Sequence, residues 1–421
     1  MTSKATPTEC FVYITLPGQT EPVTAGRFEL NQSAPLGRFV YGRTYLEYKD
    51  AVEFDPNELK LSTRTYETAS LKGVFGALRD AGPDFWGRRV IERHAGKAQL
   101  NEMDYLLHSP DDRAGALGFG LGQKPPAPRR EFNKTLDLAR LQEIADIIIK
   151  DEERSTNAAA VQVEELLLVG TSMGGARPKA VVEDKDGLWI AKFNREDDNW
   201  NNARVEHAML VLAQSCGITT ALSKVVTIGK KDVLLVKRFD REKTKSGYLR
   251  SRMISGLTLL RAEDGPQARD RWSYILLAEE LRKASAQPKQ DAAELFRRMC
   301  FNGLISNIDD HPRNHALLAK DKDWKLSPAY DLTPTPLFSQ ERRDLALNCG
   351  DQGRYANAQN FLTQSARFLL EPEAAEEIVS DMEKAVKSTW YKIAKAEGVS
   401  ERDCEKIQNA FVYPGFRFPQ I

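Results

Sequence analysis

Asp309, Asn314 and Asp331 are the residues of this 421-residue chain whose types and spacing could do chemistry. The first two stand in Ser306-Asn307-Ile308-Asp309-Asp310-His311-Pro312-Arg313-Asn314, with four residues between them. Asp331 closes Ser327-Pro328-Ala329-Tyr330-Asp331, seventeen positions after Asn314. A carboxylate, a side-chain amide and a second carboxylate in this order suit phosphoryl transfer. One carboxylate accepts or orients the attacking hydroxyl, and two hard oxygen ligands hold Mg2+ against the phosphates. On that reading Asp309 is the base, and Asn314 and Asp331 are the metal ligands. Taken alone, both stretches also suit polar turns, because Asp, Asn and Pro favour turns for local reasons.

The upstream half bears on that choice. D-x-x-x-x-N is the spacing of a protein-kinase catalytic loop, and a kinase also needs a phosphate cradle and a strand lysine. Gly170-Thr171-Ser172-Met173-Gly174-Gly175-Ala176-Arg177-Pro178-Lys179 could form the cradle, its glycines letting backbone N–H groups approach a phosphate. Ala176 stands where a Walker A lysine would be, so this is no P-loop motif. Lys192 lies in Leu188-Trp189-Ile190-Ala191-Lys192-Phe193, a strand whose burial would require an anionic partner for the ammonium. Glu206, in the following helix, could be that partner or a solvated helix residue. Val233–Arg241 is an apolar strand running into charge, either an interlobe hinge offering backbone to adenine or an edge strand. Six features in kinase order outweigh the bland reading of each.

The elements that must position these groups are readable in part. Cys10–Leu16, Phe39–Tyr41 and Tyr45–Tyr48 read as strands, and 71–107 as helical. The Pro-rich Gly122–Pro128 reads as a boundary. Beyond it come a helix around Leu138–Ile148 and then strands at Leu166–Val169, Leu188–Phe193, Val225–Ile228 and Val233–Val236. A helix at about 204–216 is closed by Gly217. From about 254 the chain turns mostly helical, at Trp272–Lys283, Asp291–Ser306 and Pro372–Ala394. A short hairpin, Ala316–Ala319 and Trp324–Leu326, separates the two polar stretches. The expected division is 1–122, a linker at 123–135, then 136–240 and 241–421.

Composition narrows the class. Lys+Arg and Asp+Glu are 60 each, which argues against a dedicated nucleic-acid binder. The run Lys224–Arg252 is locally basic and could touch phosphate backbone, though a solvated loop is the plainer reading. No apolar run approaches the ~18 residues of a membrane helix, and no secretory h-region is visible. Five scattered cysteines without a CxxC pair, and five histidines without HExxH, argue against a disulfide framework or zinc site. A reducing cytoplasm is the expected location.

The chain resembles the HipA family of bacterial serine/threonine kinases, the toxins of HipBA-type toxin–antitoxin pairs. The resemblance rests on Gly170–Lys179, Val236-Lys237-Arg238-Phe239-Asp240-Arg241, Asp309–Asn314 and Pro328–Asp331, with Asp112-Arg113-Ala114-Gly115-Ala116-Leu117 closing an N-terminal region. It implies an α+β, two-lobed protein-kinase-like fold with an added N-terminal subdomain and an all-helical C-lobe. It implies Asp309 as catalytic base and Asn314 and Asp331 as Mg2+ ligands. ATP contacts would come from Gly174, Gly175, Ala176, Arg177, Pro178, Lys179 and Lys192, and from the hinge residues Lys237, Arg238 and Phe239. His311 and Tyr330 would line the site. Ser172 falls where members of the family autophosphorylate, switching themselves off. A dianion beside phosphate-binding N–H groups would compete with ATP, so the sign is sensible. Arg177-Pro178 and Arg313 depart from the Gln-Glu and Lys of better-known members.

The same resemblance implies a protein substrate, notably an aminoacyl-tRNA synthetase, whose modification would halt translation and produce growth arrest and persistence. It also implies a HipB-like helix-turn-helix antitoxin, with operator DNA reached mainly through it. Two alternatives stand beside the toxin kinase. One is a co-repressor acting by binding its antitoxin, and the other a small-molecule phosphotransferase.

Overall fold

The structure is a computed structural model describing residues 7–31, 33–95, 100–150 and 177–418. The chain divides into two compact units. One comprises Met1–Phe193, Lys237–Ile254 and Leu318–Asp323; the other comprises Asn194–Val236, Ser255–Leu317 and Trp324–Ile421.

The first unit begins with β1 (Glu9–Thr15), β2 (Pro22–Asn31), β3 (Leu36–Tyr41), β4 (Tyr66–Thr68) and β5 (Leu117–Gly120), in the sheet order β4-β3-β2-β1-β5. Neighbouring strands run antiparallel. Cys10, Val12, Ile14, Phe28 and Phe39 are buried in it. The strand expected at Tyr45–Tyr48 is instead a helical turn, Arg43–Leu46. Its Tyr45 is fully buried, donates to the Val52 carbonyl at 2.7 Å and stacks on Tyr41. The stacking of that ring on Tyr41 and its bond to Val52 outweigh the β propensity of the segment, so tertiary packing overrides propensity here.

Helices α1 (Phe85–Ala95), α2 (Glu102–His108) and α3 (Leu138–Lys150) follow the helical spacing of the sequence. Val74 lies outside them, in extended backbone. A second sheet is built from β6 (Asn133–Lys134), parallel to β7 (Lys179–Asp184), which pairs antiparallel with β8 (Gly187–Phe193). Residues 241–250 return as a hairpin, Arg241–Thr244 with Gly247–Arg250.

In the second unit, α4 (Asn202–Ser215) is capped by Asn201 and stopped by Gly217 at φ 78°, the left-handed C′ that the sequence predicts. The hairpin of β9 (Ser223–Ile228) and β10 (Lys231–Lys237) follows. Arg204 on α4 clamps Asp232 on β10, at 2.6 and 3.0 Å, and fixes the helix to the hairpin. Helices α5 (Tyr274–Ala284), α6 (Pro288–Leu304), α7 (Pro372–Ala396) and α8 (Glu401–Ile407) carry the rest of the packing. α6 packs on both α5 and α7, and α7 on α4. Short strands at Ala316–Ala319 and Lys325–Leu326 lie where the hairpin was expected. Among the described residues no helix is long and apolar enough to cross a membrane.

Candidate active site

The polar loop begins where α6 ends. Ser306 takes φ 52°, and its hydroxyl donates to the Ala410 carbonyl while accepting from Arg343 Nη1, each at 2.6 Å. The backbone then closes on itself. His311 N donates to Asp309 O at 2.7 Å and Asn314 N to His311 O at 2.8 Å, around the single 3-10 turn Pro312–Asn314. Pro312 suits the first position of that turn, where no amide is needed. Gly256 passes so close that a Cβ would lie 2.6 Å from the Pro312 carbonyl. Its amide donates to His315 O at 2.6 Å, anchoring the loop exit.

The two adjacent aspartates part company. Asp309 stands exposed, whereas Asp310 is 1% exposed. Asp310 accepts from the Tyr274 hydroxyl and pairs with His315 Nε2 at 2.8 Å. Shielding by the surrounding chain, reinforced by the negative charges of Asp331 and Asp310, holds the Asp309 carboxyl above its usual range. Asp331 is half-buried at φ 60°, a left-handed conformation that Asp tolerates better than most residues. Tyr330 precedes it and donates its hydroxyl to Arg313 O at 2.6 Å, tying the two polar stretches together. Asn314 is also half-buried.

His311 caps the 3-10 turn, its Nδ1 accepting from Arg313 N at 3.1 Å. Its ring lies edge-on to Trp272 at 4.2 Å. Burial pushes this histidine down to about 4, against the opposing pull of Asp264, so it is neutral near pH 7. Arg313 turns its guanidinium onto Asp264, with Nε 3.0 Å from both carboxylate oxygens. Tyr274, Asp310, His315, Asp264 and Trp272 were not singled out by sequence reasoning. Only the charge of Asp264, set among Arg261, Glu263, Arg269 and Arg271, was visible, and nothing marked it from its neighbours.

The remaining expected residues are distributed as follows. Asp309, His311, Asn314, Tyr330 and Asp331 come together in the second unit. Glu206 is in the same unit, buried on α4, so the solvated reading of it does not hold. Lys192 belongs to the first unit, half-buried at the end of the otherwise buried β8. Ser172, Gly174, Gly175 and Ala176, with the strand expected at Leu166–Val169, lie outside the described residues. Arg177 is half-buried and Pro178 buried, the carbonyl of Pro178 accepting from Phe193 N at 3.1 Å.

Lys179 and Arg238, expected to touch nucleotide, have internal partners. Lys179 is 1% exposed and its ammonium meets Asp84 at 2.7 Å. A buried ammonium needs such a partner, and Asp84 supplies it. Arg238 is as deeply buried. Its guanidinium holds Asp112 and binds Asp240 twice, at 3.0 and 2.8 Å, with the Arg113 carbonyl at 2.8 Å. Its amide donates to Leu188 O, so side chain and amide are both committed within the first unit. Arg241 joins the network through Asp240 and the Arg113 and Gly115 carbonyls. The arginines of the basic run are thus paired internally, since Arg250 also pairs with Asp111 and Arg252 with Glu53, whereas Lys230, Lys243 and Lys245 are exposed. Lys237, expected at the hinge, lies over the Trp189 ring at 5.9 Å, and Phe239 is half-buried.

A model of the HipA-like C-terminal domain matches residues 171–390, and one of the HipA N-terminal domain matches residues 20–120. A Sinorhizobium fredii protein named "Putative kinase Y4mE" is 23% identical over 354 residues, covering 77% of this chain and 78% of its own. A second from that organism, "Putative kinase Y4dM", is 25% identical over 384 residues, covering 85% and 87%. Among solved structures, a chain of the Shewanella oneidensis toxin–antitoxin complex of HipA, HipB and operator DNA superposes with a TM-score of 0.68. It covers 96% of both chains at 14% identity, so the two share a fold. With one family model spanning more than half of its length and another covering its N-terminal region, this chain belongs to the HipA family.

Proposed function

We propose that this chain is an ATP- and Mg2+-dependent serine/threonine protein kinase serving as the toxin of a type II toxin–antitoxin pair. The observation that carries the reading is the split between neighbours: Asp309 faces outward beside Asp331 while Asp310 is buried and tethered. An exposed carboxylate held above its usual range is placed to take or orient a hydroxyl proton. Asn314 and Asp331 offer an amide and a carboxylate oxygen, hard donors of the kind Mg2+ takes. The repulsion felt by Asp309 from Asp331 is the kind of negative density that a cation relieves. Bound there, Mg2+ would offset the charge on the phosphate oxygens. Lys192 would meet the ATP phosphates, with Glu206 as its partner, and the backbone of Lys237 to Phe239, apart from the committed Arg238 amide, would face adenine. Residues 136–240 would act as N-lobe and 241–421 as C-lobe.

Ser172 would be the autophosphorylated residue whose modification closes the nucleotide loop to ATP. The substrate would be a protein of the translation apparatus such as an aminoacyl-tRNA synthetase, in the cytoplasm. A HipB-like helix-turn-helix antitoxin would be the partner and would carry the contact to operator DNA. The relatives named as kinases support the kinase reading, and the HipA, HipB and operator DNA complex of similar fold supports the antitoxin partner.

The test is to incubate the protein with Mg-ATP beside Asp309→Ala and Asp331→Ala and map phosphate by mass spectrometry. Phosphate on Ser172 or a neighbouring serine in the parent alone supports the kinase. ATP binding without any phosphoprotein shifts the reading to a co-repressor or a small-molecule phosphotransferase.

A further inference from the structure

We propose that Asp310, tied to Tyr274 and His315, is the positioning residue that holds Asp309 and Asn314 in working register. The inference rests on the kinase reading of Asp309 and Asn314. Asp310 and His315 each stand one residue beyond one of those two groups. The 2.8 Å contact between them therefore staples the base of the loop, with Asn314 on the arc that it closes and Asp309 immediately before it.

The staple is braced from behind. The Tyr274 hydroxyl donates to Asp310 and accepts from Asn302 Nδ2 at 3.1 Å. Asn302 in turn accepts from Asn307 Nδ2 at 3.0 Å, and Asn307 N donates to Asn302 O at 2.8 Å. The chain of contacts thus runs from α5, through the end of α6, to both flanks of the loop. The Tyr274 and His315 rings meet edge-to-face at 5.6 Å, which limits their rotation. Asn302, Asn307, Tyr274, Asp310 and His315 are all 2% exposed or less, so water does not compete for these bonds. Desolvation of the phenol and the neighbouring Asp310 charge raise Tyr274 well above its ordinary value, keeping it a donor.

A residue that fixes the reacting geometry changes turnover more than substrate binding, and misplacement by about 1 Å can lower a rate by roughly a hundredfold. Tyr274→Phe keeps the ring and deletes the bond to Asp310. His315→Gln keeps a side-chain donor, and His315→Leu removes it. The autophosphorylation rate at saturating Mg-ATP is expected to fall about ten- to a hundredfold in Tyr274→Phe and His315→Leu. The Mg-ATP concentration giving half the maximal rate should stay within about twofold of the parent, and His315→Gln should recover most of the rate. A purely structural residue would lower the melting temperature and leave the rate of the folded protein alone.

Hydrogen exchange gives a readout independent of activity. The amides of His311 and Asn314, bonded inside the loop, should exchange faster in Tyr274→Phe while those of α6 do not. A parent rate in Tyr274→Phe and His315→Leu, or unchanged loop exchange, overturns the proposal. If the parent transfers no phosphate at all, the kinase reading fails instead. The staple is then decided by the exchange of those two amides, faster supporting it and unchanged overturning it.

Discussion

In the first unit, Arg238, Arg241, Asp112 and Asp240 bury four formal charges that offset one another at close range. In the second, Tyr274, His315, Asn302 and Asn307 bury a single carboxylate, Asp310, among uncharged or ring donors. Both assemblies join segments far apart in the chain, and neither is exposed. They differ in what depends on them. The ionic network bridges Asp112-Arg113 and Arg238–Arg241, two motifs 126 residues apart, and so fixes the segment flanking Lys237 and Phe239. The polar chain ends one residue from an exposed carboxylate. Charge holds the fold together in the first case and, on the proposed kinase reading, serves chemistry in the second.

The largest expected effect follows from that contrast. Asp309→Asn should lower phosphoryl transfer by about a hundred- to ten-thousandfold, the usual size of an acid–base contribution. Its side chain is exposed, so the melting temperature should stay near that of the parent. Measuring both together is decisive: lost activity that tracks lost stability would erase the distinction between the regions.

Next in size is Arg238→Ala. It takes the guanidinium away from buried Asp112 and leaves Asp240 to Arg241, and removal of one partner from a buried ion pair destabilises by about 3–5 kcal/mol. Denaturant unfolding should register this as a lowered midpoint. A loss under about 1 kcal/mol would mean that water enters the network freely and that its charges behave as at a surface.

The two regions also differ in how far sequence reveals them. The elements were largely legible: α4 and its Gly217 stop, the β8 strand bearing Lys192, and α6 leading into the polar loop all follow from spacing and caps. Asp309 and Asn314 were legible because their spacing is local. What was not legible depends on distant partners. Nothing in Asp309-Asp310 says which carboxylate faces out, because the answer lies in Tyr274, 36 residues upstream of Asp310. Lys179 reads as part of a nucleotide loop and Arg238 as part of a hinge, yet their partners Asp84 and Asp112 lie 95 and 126 residues away. A basic residue in a motif reports charge, and only packing decides what the charge meets.

Acid should sharpen the contrast. Burial alone would raise the Asp240 carboxyl, but Arg238 and Arg241 overcome it and hold the group well below the usual range. A carboxyl depressed in the folded state contributes stability that is present above its unfolded value of about 3.9 and is lost as pH falls through the folded value. Unfolding followed from pH 6 downward should therefore show stability declining below about pH 4, and Asp240→Asn should flatten that decline. A decline of equal slope in Asp240→Asn would assign the acid sensitivity to other carboxylates.

The smallest effect tests whether an ion pair at the loop surface behaves like either region. Arg313 meets Asp264 with two nitrogens, and their side chains are 26% and 29% exposed. Partial exposure puts the pair closer to a surface bridge, worth about 0–1 kcal/mol, than to the buried network. Arg313→Lys keeps the charge but replaces a planar fork with a single ammonium, so the two-nitrogen contact to Asp264 is lost. The loop is also held without Arg313's side chain, through its carbonyl to Tyr330 and its amide to His311. Stability should therefore fall by less than about 1 kcal/mol, and autophosphorylation by no more than about threefold, both relieved further by added salt. A loss as large as that of Tyr274→Phe would mean that the outer arc of the loop depends on Asp264 as much as its base depends on Asp310.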